Sequence, residues 1–316
     1  MKAVVLVGGE GTRLRPLTLT APKQMLPIGG RPMLERVLEW LAGHGVDEAV
    51  LSLGYRPDAF LSAYPDGESC GVRLIYAVEP SPLDTAGAIR FAATEAGVDE
   101  TFLVINGDVL TDLDVTALIK FHQDHEAEAT IALTPVDDPS AFGVVPTDEA
   151  GRVIAFIEKP APGTAPTNYI NAGTYVLEPS VLGRIAGDRR VSIERETFPA
   201  VAADGRLYAS GSDARWLDAG TPATLLAANL AYAPIGPVAD SVVGDGVAIG
   251  KDVAIERSVV MDGVVIGDGA TIRDSIIGAG ALIGAGARIT AQSVIGYGHE
   301  VEAGAEVSEA RLPQPG

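Results

Sequence analysis

The chain has 316 residues, 47% of them hydrophobic and only 5% aromatic, with a net charge of −19. That length points to two domains with aliphatic cores, and the negative charge argues against a nucleic-acid partner, which requires a positive surface. No stretch is long and apolar enough for a membrane helix, Cys70 stands alone, and residues 1–7 lack a signal-peptide pattern, so a soluble cytoplasmic protein is expected.

The charge is unevenly spread. Residues 1–36 hold Lys2, Arg13, Arg15, Lys23, Arg31 and Arg36 against Glu10 and Glu35, which leaves −23 on the remaining 280 residues. A small basic island in an acidic protein suggests a local anionic ligand.

In chain order, an aliphatic strand at 3–7 runs into Gly8-Gly9-Glu10-Gly11-Thr12-Arg13, with Pro22-Lys23 further on. Three glycines within four residues let the backbone approach an anion and aim several N–H groups at it. This loop matches neither the common phosphate loop nor the dinucleotide fingerprint. Helical spacing follows Pro32, with Met33, Val37, Leu38 and Leu41 on one face. Further buried strands are predicted at 49–53, 72–78 and 102–105, alternating with helices at 86–96 and at 114–125, the latter capped by Asp114. The expected fold is a doubly wound, mixed, mostly parallel α/β sheet with ligands at the carboxyl ends of its strands. Asn106-Gly107-Asp108 and Trp216-Leu217-Asp218 each place a carboxylate where a ligand could approach. A helical run at 222–232 and then Pro234-Ile235-Gly236-Pro237 mark a boundary, giving domains 1–235 and 236–316.

Beyond that boundary aliphatic residues recur every six positions: Val243, Ile249, Ile255; Val260, Ile266, Ile272; Ile277, Ile283, Ile289; Ile295, Val301, Val307. The triplets are offset by 17, 17 and 18 residues. A six-residue period fits a three-sided β-solenoid, one hexad per face, with about four coils. It resembles the left-handed β-helix of hexapeptide repeats. Such a domain serves packing and self-association, because an open coil end must be covered.

The string G-G-x-G-T-R-L-x-P-x-T-x-x-x-P-K resembles the signature of the nucleoside-diphosphate-sugar pyrophosphorylases, the sugar-1-phosphate nucleotidylyltransferases, and the likeness extends through most of the first 235 residues. The resemblance implies that Leu6, Gly8, Gly9, Gly11, Thr12, Asn106 and Gly107 meet the nucleotide, and that Arg13 and Lys23 neutralise its phosphates. Asp108 is implied as catalytic, and with Asp218, in a W-x-D-x-G-T-like segment, as a ligand of Mg²⁺. Phe142-Gly143-Val144-Val145, Glu158-Lys159-Pro160 and Asn171-Ala172-Gly173 look like the family's YGVV, EKP and N-x-G segments. They imply a sugar-phosphate side made by Gly143, Glu158, Lys159, Asn171 and Gly173.

The segment around Glu79 sits where the family reads the nucleobase. An ionised Glu only accepts, and guanine alone offers two adjacent Watson–Crick donors, so Glu79 favours GTP. Leu83-Asp84-Thr85-Ala86-Gly87 resembles the corresponding string of the mannose-1-phosphate guanylyltransferases, with Asp84 where Gly is usual. Mannose 1-phosphate is accordingly the favoured acceptor. A thymidylyl- or uridylyltransferase acting on glucose 1-phosphate, and a non-catalytic nucleotide-sugar-sensing subunit, remain the alternatives. Ser192-Ile193-Glu194 also resembles the family, without a role for Glu194.

Overall fold

The computed structural model describes residues 1–233, 238 and 240–314. The proposed boundary at Pro234-Ile235-Gly236-Pro237 lies outside the described residues. Contacts divide the chain into two compact units, one of Met1–Gly8 and Val37–Trp216, the other of Gly9–Arg36 and Leu217–Gly316.

The first unit is built on a ten-stranded mixed sheet. Its main strands are β1 (Lys2–Leu6), β2 (Glu48–Leu53), β3 (Val72–Val78), β4 (Phe102–Asn106), β5 (Ala129–Pro135), β6 (Gly143–Val144), β7 (Ile157–Glu158), β8 (Tyr169–Leu177) and β9 (Leu207–Gly211). The spatial order β7-β6-β8-β4-β1-β2-β3 continues into a short edge strand at Glu68–Ser69, while β5 pairs with both β8 and β9. Strands β1 to β4 run parallel, with Val4 beside both Val50 and Val104. All three valines are fully buried. Each such side chain removed from water contributes about 1.5–3 kcal/mol, which is why these aliphatic runs are strands with no polar face.

The register also aligns the carboxyl ends. Leu6 lies opposite Ser52 and Asn106, and Leu53 opposite Val78. Strand β8 runs antiparallel to β4 and β5, and its register with β5 shifts between Asn171 and Tyr175. A bulge of this kind bends the strand and re-aims its side chains. Gly173, inside the bulge, has φ 73°, and a Cβ there would stand 2.6 Å from Asn106 Nδ2.

The expected helices are present. They include α1 (Met33–Gly43), α2 (Asp84–Glu95), α3 (Val115–Asp124) and, in the second unit, α4 (Pro222–Ala231). Asp114 caps α3 by accepting from Ala117 N at 3.0 Å. Thr221 and Thr224 form a reciprocal capping box on α4.

In the second unit, segment 9–36 is tied to α4 by the buried Asn229. Its Oδ1 accepts from Gly29 N at 3.0 Å and its Nδ2 donates to Pro27 O at 3.0 Å. The rest is a three-faced parallel solenoid. Ile249, Ile266, Ile283 and Val301 stack in register on one face, and Ile255, Ile272, Ile289 and Val307 on another. On the remaining face Val243, Val260, Ile277 and Ile295 continue to Leu312, so this face begins a fifth coil that the hexad count did not include. Corner glycines are dictated by the stacking: a Cβ on Gly284 would stand 2.4 Å from Ala303 N. The offset of 18 is absorbed at Ala291 and Gln292, two successive residues of positive φ where the preceding coils use one, Arg257 and Asp274.

Among the described residues no helix is long and apolar enough to cross a membrane.

Candidate active site

In the first unit the chain leaves β1 through Gly8, which lies close to β2 and β3. A Cβ on Gly8 would meet Gly54 N and Glu79 Oε1, each at 3.1 Å, so a larger residue would crowd both neighbours. The Glu79 carboxylate is half-buried and braced on both oxygens: Oε1 accepts from Ser52 Oγ at 3.0 Å, and Oε2 accepts from Leu83 N at 3.2 Å. Glu79 thus shapes its own loop and keeps one lone pair on each oxygen for a further donor.

The string 83–87 is held by the segment after residue 190. Val191 N donates to Leu83 O, while Ala86 N and Gly87 N donate to Val191 O. Ala86 and Gly87 are buried, and their amides are committed to this pairing. A Cβ on Gly87 would stand 2.9 Å from Leu83 Cβ. Asp84 adopts φ 65°, which explains why the related pattern prefers glycine there, and its carboxylate accepts from Thr85 N at 2.9 Å.

At the end of β4, Gly107 sits against β1. Its N–H donates to Leu6 O at 3.0 Å, and a Cβ would fall 2.7 Å from Val7 Cγ1. The half-buried Asp108 follows immediately.

Several of the residues expected on the sugar-phosphate side come together. A cleft of about 360 Å³ is lined by Gly143, Glu158 and Asn171, together with Phe142, Asp84, Ser192, Glu194 and Arg195. Lys159 and Gly173 are absent from its lining and act as neighbours of residues that are in it. Lys159 has φ 49°, its N–H donates to Phe142 O, and its Nζ is 3.7 Å from Glu158 Oε1. Asn171 accepts from Gly173 N through Oδ1 and donates to the Tyr175 hydroxyl through Nδ2 at 2.8 Å. Burial drives the Tyr175 phenol well above its ordinary value, with Glu194 and Glu158 adding to the shift. Trp216 donates to Ala172 O at 2.9 Å and meets Phe142 edge-on.

In the second unit Gly11 has φ 64° and lies against Thr18 and Lys23: a Cβ there would stand 3.0 Å from Thr18 Cγ2 and 3.2 Å from Lys23 Cβ. A Cβ on Gly9 would be 3.8 Å from Lys23 Nζ. Thr12 and Arg13 are the exposed residues of a helical turn whose Leu14 is buried. A Cβ on Gly220 would stand 2.6 Å from Arg13 Nη2 and 2.7 Å from Asp218 Oδ1, which itself accepts from Gly220 N at 2.9 Å. The phosphate-type cations are therefore grouped with Gly9, Gly11 and Asp218. Sequence reasoning missed Ser52, Tyr175 and Arg195; the family-like Ser192-Ile193-Glu194 was the available pointer to the last.

A mixed α/β sheet with glycine turns at the ends of its parallel strands, together with a hexad solenoid, defines the class as a nucleotidyltransferase-type domain joined to a β-helix. The chain belongs to the Nucleotidyl transferase family, whose profile matches residues 2–234. A second profile, the EIF2B subunit epsilon LbH domain, matches residues 231–307 and assigns the solenoid to the left-handed β-helices. The chain is similar to the mannose-1-phosphate guanylyltransferase of Mycobacterium tuberculosis, 47% identical over 70% of this chain and 61% of that protein. It therefore spans about three-fifths of that relative's length. It is 40% identical to a probable mannose-1-phosphate guanylyltransferase of Oryza sativa over 81% of this chain and 76% of that one. Among solved structures, HddC from Yersinia pseudotuberculosis complexed with GMP-PN is similar, with a TM-score of 0.64 and 31% identity over 73% of this chain and 99% of that one.

Proposed function

We propose that the protein transfers a guanylyl group from GTP to mannose 1-phosphate, giving GDP-mannose and pyrophosphate. The observation that carries this reading is the grouping of Arg13 and Asp218 at Gly220 and of Lys23 at Gly9 and Gly11. The names of the similar proteins support the guanylyl and mannose choices.

In this reading Gly8, Gly9, Gly11 and Thr12 cradle the triphosphate, with Leu6, Asn106 and Gly107 shaping the approach at the ends of β1 and β4. Glu79 accepts from the guanine N1–H and amino group with its remaining lone pairs, and Thr85, Ala86 and Gly87 hold the base loop. Glu158, Lys159, Asn171, Gly143 and Gly173 receive the sugar phosphate. A phosphate monoester has its second pKa at about 6 and is already nucleophilic at neutral pH, so no general base is required. Its oxygen attacks the α-phosphorus in line, while Arg13 and Lys23 take up charge on the departing pyrophosphate.

A divalent cation is part of this reading, with Asp108 and Asp218 as its protein ligands on the strength of the family resemblance. Among the described residues no group of three or more His, Cys, Asp and Glu could hold a metal alone. The available ligands, Asp108 and Asp218, are two carboxylates that would need water and phosphate oxygens to complete an octahedron, the habit of Mg²⁺. When bound, Mg²⁺ would neutralise phosphate charge.

The catalytic domain is taken as 1–235 and the β-helix as 236–316, in keeping with family profiles that meet at 231–234. Self-association through the β-helix would cover Val265 and Leu282, which are paired on one face and exposed. A cytoplasmic location accords with the single cysteine.

The test is pyrophosphate release from GTP, mannose 1-phosphate and Mg²⁺ by wild type, Arg13→Ala and Asp108→Asn. The reading requires turnover by wild type and a loss on the order of a hundredfold or more in kcat for each variant. Wild-type-like kcat in either variant would remove its assigned role.

A further inference from the structure

Glu194 is left without a role by the proposed function, yet it lines the same cleft as Glu158 and Asn171. It stands in the first turn of a short π-helical segment, Ile193–Thr197, in which Ser192 caps by accepting from Arg195 N. Its carboxylate is fixed from one side only. Oε2 accepts from Thr85 Oγ1 and from Ser192 Oγ, both at 2.7 Å, and Thr85 Oγ1 is itself oriented by Ile193 N at 2.8 Å. Two short bonds on a single oxygen hold the group in one rotamer, and Oε1 takes no hydrogen bond from any described residue. A half-buried carboxylate with one oxygen locked and the other unused is preorganised to receive a donor.

The surroundings say what kind of donor. Asp84, Glu158, Glu194 and Arg195 line the cleft with Asn171 and Ser192. Arg190 stands 3.9 Å from Asp84 and Lys159 3.7 Å from Glu158, which leaves Glu194 as the cleft carboxylate without an ion pair among the described residues. Carboxylates accept from hydroxyls and repel a second anion. Resting on the reading of the protein as a sugar-1-phosphate nucleotidylyltransferase, we propose that Glu194 accepts a hydrogen bond from a ring hydroxyl of the sugar, and so selects a neutral hexose 1-phosphate over one bearing a carboxylate. Thr85 is then a positioning residue for Glu194.

The test compares wild type, Glu194→Gln, Thr85→Val and Thr85→Ser with GTP. The acceptors are mannose 1-phosphate, the series with one hydroxyl at a time replaced by fluorine, and glucuronic acid 1-phosphate. In Glu194→Gln the KM for mannose 1-phosphate rises about tenfold, the worth of one charge-assisted bond, while the KM for GTP stays put, and Thr85→Val raises the KM for mannose 1-phosphate by a similar factor. Thr85→Ser restores the wild-type value. One fluorinated acceptor is penalised in wild type and loses that penalty in Glu194→Gln, and discrimination against the glucuronic acid derivative narrows. An unchanged KM for mannose 1-phosphate, or a loss spread evenly over every acceptor, would overturn the inference while leaving the transferase reading intact. No wild-type pyrophosphate release from any of these acceptors would instead sink that reading and the inference with it.

Discussion

The Arg13 guanidinium and the Asp218 carboxylate converge on Gly220, each within 2.7 Å of the point where a Cβ on that residue would lie. Residues 205 positions apart in sequence meet at a glycine because nothing larger leaves room for both charged ends. Both are tips of flexible side chains, so a methyl group would push them aside rather than break the fold. Gly220→Ala is expected to lower kcat/KM about a hundredfold, as misplacement by about 1 Å can do, with little change in Tm. Rates together with thermal melts of the same preparation check this; a normal rate would show that the pair's placement is immaterial.

Asp84 tolerates φ 65° because its carboxylate bonds Thr85 N. Asp84→Gly should leave stability unchanged or raise it by up to about 1 kcal/mol, whereas the β-branched Asp84→Val should cost about 1–3 kcal/mol. Denaturant unfolding of the two variants separates these outcomes. Equal effects would mean that the loop does not demand the left-handed region.

Glu128 is 1% exposed and sits between Arg184, at 2.7 Å, and Arg206, at 3.1 Å. The hydrogen bond from Arg184 holds its carboxyl below the ordinary 4.5, ahead of the opposing effect of burial. A carboxylate whose pKa is depressed on folding contributes stability that is present above its unfolded value and is lost as pH falls through the folded one. Glu128→Gln should therefore cost about 3 kcal/mol near neutral pH. The gap to wild type should narrow only below pH 4.5. Melting temperatures across that range measure it, and a pH-independent gap would refute the assignment.

In the solenoid, Ser241, Ser258 and Ser275 form a buried ladder in which Ser258 N donates to Ser241 Oγ at 3.1 Å and Ser275 N donates to Ser258 Oγ at 3.2 Å. Ser258 Oγ also donates to Glu256 O at 2.7 Å. Ser258→Ala would leave the Ser275 amide unpartnered, while Glu256 O would keep its bond from Asp274 N, and should cost about 1–3 kcal/mol. Thermal unfolding followed on the β-helix signal would show it; an unaltered melt would mean that water replaces the hydroxyl.

What the sequence made legible follows from which forces are periodic. The hexads at Val260, Ile266 and Ile272 announce three faces because every inward residue must be aliphatic. The runs at 3–7 and 102–105 announce strands because both of their faces are buried. Of the motif residues, Gly143, Glu158 and Asn171 line one cleft, while Lys159 and Gly173 lie outside its lining. Less visible were contacts made once, between distant positions. The Thr85–Glu194 bond spans 109 residues and carries no repeat. The bulge between Asn171 and Tyr175 depends on a register that no local pattern encodes. Glu79 was read for the base alone, whereas Ser52 and Leu83 show that it also braces its loop.

The most direct measurement sets initial rates of pyrophosphate release with GTP, ATP, UTP and dTTP, mannose 1-phosphate in each case, for wild type beside Glu79→Gln. An amide at this position can keep the loop, accepting from Leu83 N and donating to Ser52 Oγ, so the fold is preserved while the face shown to the base changes. The account predicts that wild type prefers GTP and that the variant loses this preference and gains with dTTP and UTP. Wild-type preference for dTTP or UTP, or a variant that selects GTP as before, would contradict it.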